Sequence, residues 1–286
     1  MSSKYPETVY LNGRWIPADQ ASLSVFDRGF MLGDGIYEVI PFYGGKPFLL
    51  QEHLDRLLYS LREVEMKPTT ICWEDVIKAA IAQTGLLQEG GAVYIQVSRG
   101  AAPRTHFFPE QAEPTVLCYA YPLQLAGFEH KRAKVLALED KRWHRCDIKS
   151  TSLMANVLAN NEAHRNGYQE ALLYRGSIFT EGTHTSVFFV KQGRVFTHPQ
   201  GPHILPGITR MEVIAICKEL GINIEEKPIC LDDLSTIDEV FLTGTTTQVL
   251  AVDQIDHKKN VVFQRADIGP ITQKIQEAFK QRLSLI

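Results

Sequence analysis

The sequence lacks any long apolar run. Within its 286 residues there is no uninterrupted hydrophobic stretch of the roughly 18 to 20 residues that a membrane-spanning helix needs. The opening residues, MSSKYPETVY, also lack the apolar segment of a secretion signal. From these two absences we expect a soluble, cytoplasmic protein.

The sequence also lacks an excess of charge of either sign. Lysine and arginine together number 30, against 33 aspartate and glutamate residues, which gives a formal net charge of −3 at pH 7. Such a balance offers no broad positive field to hold nucleic acid or an anionic membrane. Partners of these two kinds are therefore not expected.

Cysteines are few, and the short motifs of several enzyme classes are missing. The five cysteines are widely spaced and include no CxxC pair, which is typical of reduced, mostly buried thiols. The chain has no HExxH, GxSxG, GxxxxGK or helix-opening GxGxxG motif. Zinc proteases, α/β-hydrolases, P-loop proteins and Rossmann dinucleotide-binding proteins therefore lack local support, and no metal site is expected.

The length is near twice that of a usual single domain, which predicts two domains. Pro122 and Gly127 interrupt the periodic pattern, so we place the boundary there, with a smaller N-terminal domain over residues 1–121 and a larger C-terminal domain over 122–286. Predicted strands outnumber predicted helices in both halves and lie mostly in hairpins. The predicted fold is therefore α+β and not a doubly wound parallel sheet.

Hydrophobic periodicity places the individual elements. A hairpin around Asn12-Gly13 is predicted over residues 8–16. Further strands are predicted over residues 35–43, 47–50, 93–97, 115–120, 134–138, 171–174, 177–179, 187–190, 195–197 and 239–243. Helices are predicted over residues 51–66, 73–84, 152–165, 209–220 and 268–283. Residues 98–114 form a long polar loop in this prediction, and long loops inside compact domains are often functional.

Lys149 is the first candidate for chemistry. It precedes Ser150-Thr151-Ser152, the predicted first turn of a helix. A helix N-terminus disfavours a cation and so lowers the pKa of an amine, which suits a lysine that forms a Schiff base. A solvated loop lysine is the alternative, because position alone is weak evidence for chemistry.

A carboxylate and two turns could serve a phosphorylated cofactor. Glu181 lies at the rim of a predicted sheet, where it could keep a ring nitrogen protonated, although an exposed hairpin glutamate is the plainer explanation. Thr209 opens a predicted helix, and Gly244-Thr245 follows a predicted strand. Either turn could bind phosphate, but Thr209 could also be only a helix N-cap.

Cationic side chains offer two further candidates. Arg56 lies on the polar side of the first long helix, where a solvated arginine is the default expectation. Arg104 and His106 are two residues apart in the loop and would point the same way if the loop is extended. Such a pair could bind a substrate carboxylate, or it could simply belong to a flexible basic loop.

The order and spacing of several motifs resemble the fold-type IV pyridoxal phosphate enzymes, and most of all the members that transaminate D-amino acids. The resemblance runs almost end to end. It is carried by residues 27–29 (DRG), 33–38 (GDGIYE), 52–57 (EHLDRL), 103–106 (PRTH), 145–150 (RCDIKS), 180–182 (TEG), 205–209 (LPGIT) and 243–246 (TGTT). It implies a two-domain α+β fold with pyridoxal 5'-phosphate between the domains and the Schiff-base lysine in the C-terminal domain.

The resemblance also implies roles. Lys149 binds the cofactor covalently and moves the proton at the substrate Cα, while Glu181 pairs with the ring nitrogen. Leu205 packs against the ring. Tyr37, Arg104 and His106 form a trap for the substrate carboxylate, the last two reaching in from the neighbouring subunit of a homodimer. The implied phosphate contacts are Arg56, Ile208, Thr209, Gly244 and Thr245.

The expected reaction is ping-pong exchange through pyridoxamine phosphate, in which D-alanine and 2-oxoglutarate give pyruvate and D-glutamate. The Pro-Arg-Thr-His loop favours D-specificity. Two enzymes of the same fold remain alternatives, a branched-chain L-amino acid aminotransferase and an aminodeoxychorismate lyase. A third alternative is a cofactor-binding protein that has lost turnover, which the joint presence of Lys149, Glu181 and Arg56 argues against.

Overall fold

The computed structural model describes residues 6–67, 69–85 and 90–286. The chain divides into two compact units. The first unit comprises the residues up to Gln124 together with Ile148–Ser152 and Ile286, and the second comprises Leu125–Asp147 and Leu153–Leu285. The chain therefore leaves the first unit three residues later than the boundary placed after residue 121. The segment that carries Lys149 groups with the first unit, whereas the prediction had placed it in the C-terminal domain.

The first unit is built on a six-stranded sheet in the order β2-β1-β6-β5-β3-β4, with every neighbouring pair antiparallel. Asn12 and Gly13 have φ angles of 48° and 89° and make the tight turn of the first hairpin, as predicted. The strands are β1 (Thr8–Leu11), β2 (Arg14–Pro17), β3 (Gly35–Tyr43), β4 (Lys46–Pro47), β5 (Gly90–Ser98) and β6 (Thr115–Pro122).

Helices cover one face of this sheet. Leu54, Leu57 and Leu61 recur at helical spacing and are buried against strand residues such as Ile40 and Val93. The opposite face carries a row of tyrosines, described below with the site. The helices of the first unit are α1 (Arg28–Leu32), α2 (Leu50–Glu63) and α3 (Trp73–Gln83), with a 3₁₀ turn at Ala18–Gln20.

Helix α1 was not predicted, because five residues are too few to show a periodic pattern. Its ends are nonetheless specified locally. The Asp27 carboxylate accepts a hydrogen bond from the Gly29 N–H at 2.8 Å, and Gly33 ends the helix with φ of 66°. Leu50 begins α2, so the return strand predicted over 47–50 is only Lys46–Pro47.

The second unit contains a nine-stranded sheet in the order β12-β11-β10-β13-β14-β7-β8-β9, with β15 paired to β14. The pairs β14·β7, β7·β8 and β11·β12 are parallel, and the other pairs are antiparallel. The strands are β7 (Arg132–Glu139), β8 (Glu170–Arg175), β9 (Ile178–Gly182), β10 (Ser186–Lys191), β11 (Arg194–Thr197), β12 (Ile224–Glu225), β13 (Glu239–Gly244), β14 (Gln248–His257) and β15 (Asn260–Gln264).

The helices of the second unit are α4 (Met154–Arg165), α5 (Ile208–Glu219) and α6 (Pro270–Ser284), with 3₁₀ turns at Phe128–His130 and Leu231–Thr236. One sheet face forms an apolar core that includes Val135, Phe189, Leu242 and Ile255. The α+β prediction is confirmed for both units. The long strand β14 and its partner β15 were not predicted, and β14 supplies one of the parallel pairings. Among the described residues, no helix is long and apolar enough to span a membrane.

Candidate active site

Lys149 lies in a turn that is bound to strand β3. The Ser150 N–H donates to the Ile148 carbonyl at 2.9 Å, which closes a three-residue turn around Lys149. The Tyr37 N–H donates to the Lys149 carbonyl at 3.0 Å, and Ile36 and Ser150 form an isolated antiparallel bridge. The Lys149 N–H donates to the Ser60 hydroxyl at 3.2 Å. These contacts fix the backbone of Lys149 within the first unit, so its side chain starts from a rigid strand edge.

The predicted helix at residues 152–165 begins later than expected. Helix α4 starts at Met154, and Leu153 is its N-cap residue. Lys149 therefore lies outside the first turn, where the helix dipole acts most strongly. The helix-dipole argument for Lys149 was therefore wrong in its premise, because a turn around Lys149 and the bridge from Ser150 to β3 precede the helix.

The Lys149 ammonium lies over an aromatic ring. Its Nζ is 4.3 Å from the ring centroid of Tyr37, within the range of a cation–π contact. Tyr37 stacks on Tyr94 at 5.9 Å, and Tyr94 packs against Tyr119 at 5.2 Å. Tyr37 and Lys149, two residues that the resemblance assigns to the site, thus lie together in the first unit.

Arg56 is buried, with 7% of its surface exposed, and binds Glu38 with both ends of its guanidinium. Its Nε donates to Glu38 Oε1 at 2.7 Å and its Nη2 to Glu38 Oε2 at 2.9 Å. His53 Nδ1 lies 2.9 Å from the same Oε2. The expectation of a solvated surface arginine was therefore wrong, because the polar side of α2 faces a buried carboxylate on β3.

The protonation states of this cluster follow from its contacts. Burial opposes ionisation of Glu38, but the charge and hydrogen bonds of Arg56 outweigh it and hold the Glu38 pKa far below its ordinary value. Burial lowers the pKa of His53, against the opposing effect of Glu38. The neutral imidazole then donates its Nδ1–H to the carboxylate.

The long loop of residues 99–114 carries Arg104 and His106, and both side chains are exposed. The Thr105 N–H donates to the Pro103 carbonyl at 2.8 Å, which closes a three-residue turn around Arg104. The loop is therefore not extended at this point, contrary to the assumption behind the predicted alignment of the two side chains. Their direction depends on how the turn is held.

In the second unit, Glu181 is almost fully buried at the end of β9, with 5% of its surface exposed. The Leu205 N–H donates to both of its carboxylate oxygens at 3.1 Å, and Arg142 Nη1 donates to Oε1 at 2.6 Å. Glu181 and Leu205, both predicted site residues, are thus in direct contact. An exposed hairpin glutamate is not what the structure contains.

Arg142 is shared between two carboxylates. Its Nε and Nη2 donate to the two oxygens of Asp140, each at 2.9 Å, while its remaining Nη1 reaches Glu181. Burial raises the pKa of Glu181 to about 7, and Arg142 offsets only part of that rise. A further positive charge next to Glu181 would stabilise its ionised form.

Two turns of the second unit approach residues 184–186, which follow Glu181 in the chain. A Cβ on Gly207 would lie 2.8 Å from the Ser186 hydroxyl, and a Cβ on Gly244 would lie 3.4 Å from the His184 carbonyl. Gly207 is the N-cap of α5, and no side chain caps that helix. The N–H groups of Ile208 and Thr209 lie in the first turn, where intrahelical acceptors are absent.

These groups match a phosphorylated cofactor with a basic ring. The α5 N-terminus offers N–H donors, while Thr209 and Thr245 add hydroxyls. Thr243, just before Gly244, has a buried hydroxyl without a hydrogen-bond partner among the described residues. The first unit adds Lys149 as a primary amine. The predicted cofactor residues therefore fit pyridoxal phosphate by the chemistry of their donors.

Comparison with known proteins gives the family. Residues 35–255 match the family described as amino-transferase class IV. The chain belongs to this family. The matched range includes Tyr37, Lys149, Glu181 and Thr245, so it spans predicted site residues of both units of the aminotransferase.

Curated relatives match the aminotransferase over nearly its whole length. The D-alanine aminotransferase of Bacillus licheniformis is 37% identical over 278 residues, which cover 96% of each chain. The D-alanine aminotransferase of Staphylococcus aureus strain N315 is 36% identical over 279 residues, which cover 96% of this chain and 97% of the relative.

Solved structures resemble the aminotransferase in fold. The branched-chain amino acid aminotransferase of Escherichia coli aligns with a TM-score of 0.87 and 25% identity, covering 97% of this chain and 94% of that chain. The branched-chain aminotransferase of Thermoproteus uzoniensis aligns with a TM-score of 0.84 and 27% identity, covering 97% and 95%. The fold of class IV aminotransferases therefore extends across both units.

Sequence reasoning missed the charged partners of the candidate residues. Glu38 interrupts the apolar strand GIYEVIPFY, and a charge in a buried strand requires a partner, so a signal was present. Asp140 and Arg142 are two residues apart just after β7, a spacing that can place both side chains on one side of an extended chain. Their link to Glu181 is long-range and leaves no local pattern.

Proposed function

We propose that this class IV aminotransferase uses pyridoxal 5'-phosphate to transfer amino groups from D-amino acids to 2-oxo acids. D-alanine and 2-oxoglutarate would give pyruvate and D-glutamate. The observation that carries the proposal is the 35–37% identity to D-alanine aminotransferases over 96% of the chain. The donor chemistry of the two units supports it.

Lys149 is proposed as the catalytic residue. The bound cofactor supplies a carbonyl carbon that takes up an amine and a ring that accepts the electron pair of the substrate Cα–H bond. Lys149 Nζ would hold the cofactor and, once released, move the proton at the substrate Cα. The rigid backbone contacts of Lys149 and the Tyr37 ring under its Nζ restrict where that amine can lie.

Glu181 is proposed to keep the ring nitrogen protonated. Its carboxylate is already held by Leu205 and Arg142, so little reorganisation is required when a cationic ring nitrogen arrives. Because its pKa is raised to about 7, a positive partner would also shift the group to its ionised form. Ionised Glu181 and a protonated nitrogen stabilise each other.

The phosphate is assigned to Arg56, Ile208, Thr209, Gly244 and Thr245, as the resemblance implies. Arg56 would supply charge, and its clamp by Glu38 fixes the direction of its guanidinium. The α5 N-terminus would supply the N–H groups of Ile208 and Thr209, with Gly244 and Thr245 adding contacts from the β13–β14 turn. Leu205, held through its N–H by Glu181, would pack against the ring.

The substrate carboxylate is assigned to Tyr37, Arg104 and His106. A cationic pair that fixes the carboxylate also decides which enantiomer directs its Cα–H toward Lys149. We include a homodimer in the proposal, with the loop of one subunit serving the site of its partner. Val25, Phe26, Phe30 and Phe107 are 63–77% exposed, which is unusual for large apolar side chains unless they are covered by another chain.

A cytoplasmic location is also part of the proposal. The five cysteines are free thiols, and Cys118, Cys146 and Cys217 are buried. Unpaired thiols are usual in a reducing compartment. Fractionation of the cells that make the protein, followed by immunodetection, would test this location.

The function is tested by the chirality of the product. Purified protein loaded with pyridoxal phosphate is supplied with 2-oxoglutarate and either D-alanine or L-alanine, and the glutamate formed is separated by chiral chromatography. The proposal expects D-glutamate from D-alanine and no glutamate from L-alanine. L-glutamate from L-leucine or L-valine would instead identify a branched-chain L-aminotransferase.

The branched-chain alternative is favoured by one observation, the TM-scores of 0.84–0.87 to solved branched-chain aminotransferases. Those structures are 25–27% identical to the chain, against 35–37% for the D-alanine aminotransferases. An aminodeoxychorismate lyase would release pyruvate from its substrate and would not transfer an amine to 2-oxoglutarate. The product assay separates all three.

A further inference from the structure

Thr105 lies between Arg104 and His106, and three hydrogen bonds hold it. Its N–H donates to the Pro103 carbonyl at 2.8 Å and its hydroxyl to the Phe107 carbonyl at 3.2 Å. Its own carbonyl accepts from Arg28 Nη1 at 2.8 Å. The first two bonds are local to the loop. Of these three, the bond from Arg28 is the one that reaches the body of the first unit, and on the N-terminal side of the turn the Ala102 N–H donates to the Phe26 carbonyl at 3.2 Å.

Arg28 is itself fixed. It is 2% exposed and lies at the first position of α1, where its N–H donates to the Gly100 carbonyl at 2.9 Å. Its Nε donates to Asp34 Oδ2 at 2.7 Å. Burial opposes ionisation of Asp34, but hydrogen bonds from Arg99 and Arg28 outweigh it and lower the Asp34 pKa. The guanidinium thus connects a buried carboxylate to the loop turn.

The base of the loop is closed by other contacts. Asp27 Oδ2 accepts from Ser98 Oγ at 3.0 Å and from Thr115 Oγ1 at 2.6 Å, and these two residues bound the loop. A Cβ on Gly100, whose φ is +91°, would lie 1.9 Å from the Glu113 carbonyl oxygen, so only glycine fits this close approach. The two ends are therefore held together independently of Arg28.

The tip of the loop lacks such packing. Phe107 is 74% exposed, and Arg104 and His106 are exposed as well. Further along, the Arg99 guanidinium lies 3.6 Å from the ring centroid of Phe108 and fixes that position. Among the described contacts between Ala102 and Phe108, the bond from Arg28 to the Thr105 carbonyl joins the turn to the rest of the first unit and so orients it.

We propose that Arg28 is a positioning residue for the substrate carboxylate: by holding the Thr105 carbonyl, it sets the direction in which Arg104 and His106 project. This inference rests on the proposed function, in which those two side chains bind the carboxylate. It adds a role for a buried residue that does not contact the substrate. Because Arg99 Nε also donates to Asp34 Oδ2 at 2.9 Å, that carboxylate keeps a cationic partner when Arg28 is lost, while Arg104 and His106 lose their direction.

The test is the variant Arg28→Met, which keeps the length of the side chain but cannot donate to Thr105 or Asp34. Arg14→Met, at an exposed position in β2 of the same unit, is the matched control. Loss of a charge-assisted hydrogen bond corresponds to about a 10- to 100-fold change in an equilibrium. We therefore expect KM to rise about 10-fold or more for both D-alanine and 2-oxoglutarate, which present the same carboxylate.

A structural role alone would give a different pattern. The inference expects kcat and the affinity for pyridoxal phosphate to stay within about twofold, and the Kd of propanoate, a carboxylate without an amine, to rise in parallel with KM. Unchanged KM and propanoate affinity would overturn it. A fall in kcat and in cofactor affinity as large as the rise in KM would also overturn it, because Arg28 would then have only a structural role.

A second variant covers a failure of Arg28→Met to fold. Arg28→Lys retains the charge next to Asp34, but a single ammonium cannot reproduce the fork that reaches both Asp34 and Thr105. It is expected to show the same rise in KM, and normal kinetics would overturn the inference. Failure of the proposed function looks different, because the wild-type protein itself would then form no D-glutamate from D-alanine.

Discussion

Each unit contains a buried carboxylate that binds its own arginine, and the pKa values of the two carboxylates are shifted in opposite directions. Glu38 in the first unit receives two hydrogen bonds from Arg56 and a third from His53, and its pKa is far below the ordinary value. Glu181 in the second unit receives one bond from Arg142, and burial raises its pKa to about 7. The two groups are similarly buried, so burial does not explain the difference.

The difference in pKa follows from how many hydrogen bonds each arginine donates to its glutamate. The hydrogen bonds of Arg56 to Glu38 are bidentate, whereas Asp140 takes two nitrogens of Arg142 and leaves one for Glu181. Glu38 is thereby a fixed part of the fold, which stabilises the position of Arg56. Glu181 is left close to its titration point, where a cationic partner changes its charge. The carboxylates thus differ in their charged donors: Glu181 receives one bond from an arginine and the rest from the neutral Leu205 N–H, whereas Glu38 receives two from Arg56.

The largest effect on turnover is expected for Lys149→Ala, against which the two carboxylate variants can be compared. Removal of the amine that moves the proton should lower turnover by at least about 10⁴-fold, while the variant still folds. Product formation with D-alanine and 2-oxoglutarate measures turnover, and Lys78→Ala, at an exposed position of α3, is the control. Sustained turnover in Lys149→Ala would remove Lys149 from the mechanism.

Glu181→Gln should lower turnover in a variant that still folds. The amide keeps the shape and the contact with Leu205 but cannot hold a ring nitrogen protonated, so kcat should fall about 10²- to 10³-fold. Glu277→Gln, exposed on α6, is the matched control. A kcat within twofold of wild type would show that Glu181 takes no part in the chemistry.

Glu38→Ala should affect folding, since it leaves Arg56 and His53 buried without their carboxylate. Breaking a buried ion pair from one side costs about 3–5 kcal/mol. Urea denaturation of the cofactor-free protein measures the free energy of unfolding. Glu52→Ala, at an exposed position of α2, is the control. A loss below about 1 kcal/mol would contradict the structural role of Glu38.

The smallest effect is a pH dependence of stability. The pKa of Glu181 is higher in the folded chain than in the unfolded chain, so its stabilising contribution is complete below about pH 4.5 and is lost as the pH rises through about 7. Without cofactor, wild type should lose on the order of 1–3 kcal/mol relative to Glu181→Gln between pH 4.5 and 8. A constant difference between the two proteins would contradict the raised pKa.

Local signals predicted much of the fold. Asn12-Gly13 specified its hairpin, the apolar run from Gly35 to Tyr43 matched β3 residue for residue, and leucines at helical spacing specified α2. In each case a few neighbouring residues contain the whole cause. Long-range pairings left no such trace, which is why the parallel pairing of β14 with β7 was missed.

The candidate site divides in the same way. The resemblance predicted Lys149, Glu181 and Arg56, but the sequence could not show that a bridge at Ser150 ties the turn around Lys149 to β3. Nor could it show that Arg56 is buried, because its partner Glu38 is 18 residues away on another element. Contacts that cross from one element to another determine these environments, and sequence spacing does not report them.

The most direct test of the account is an absorption spectrum of the protein loaded with pyridoxal phosphate, recorded after adding L-alanine, then D-alanine, then 2-oxoglutarate. A transaminase specific for D-amino acids should keep its visible cofactor band with L-alanine, lose it with D-alanine and regain it with the oxo acid. Loss of the band with L-alanine, or no response to either enantiomer, would contradict the account.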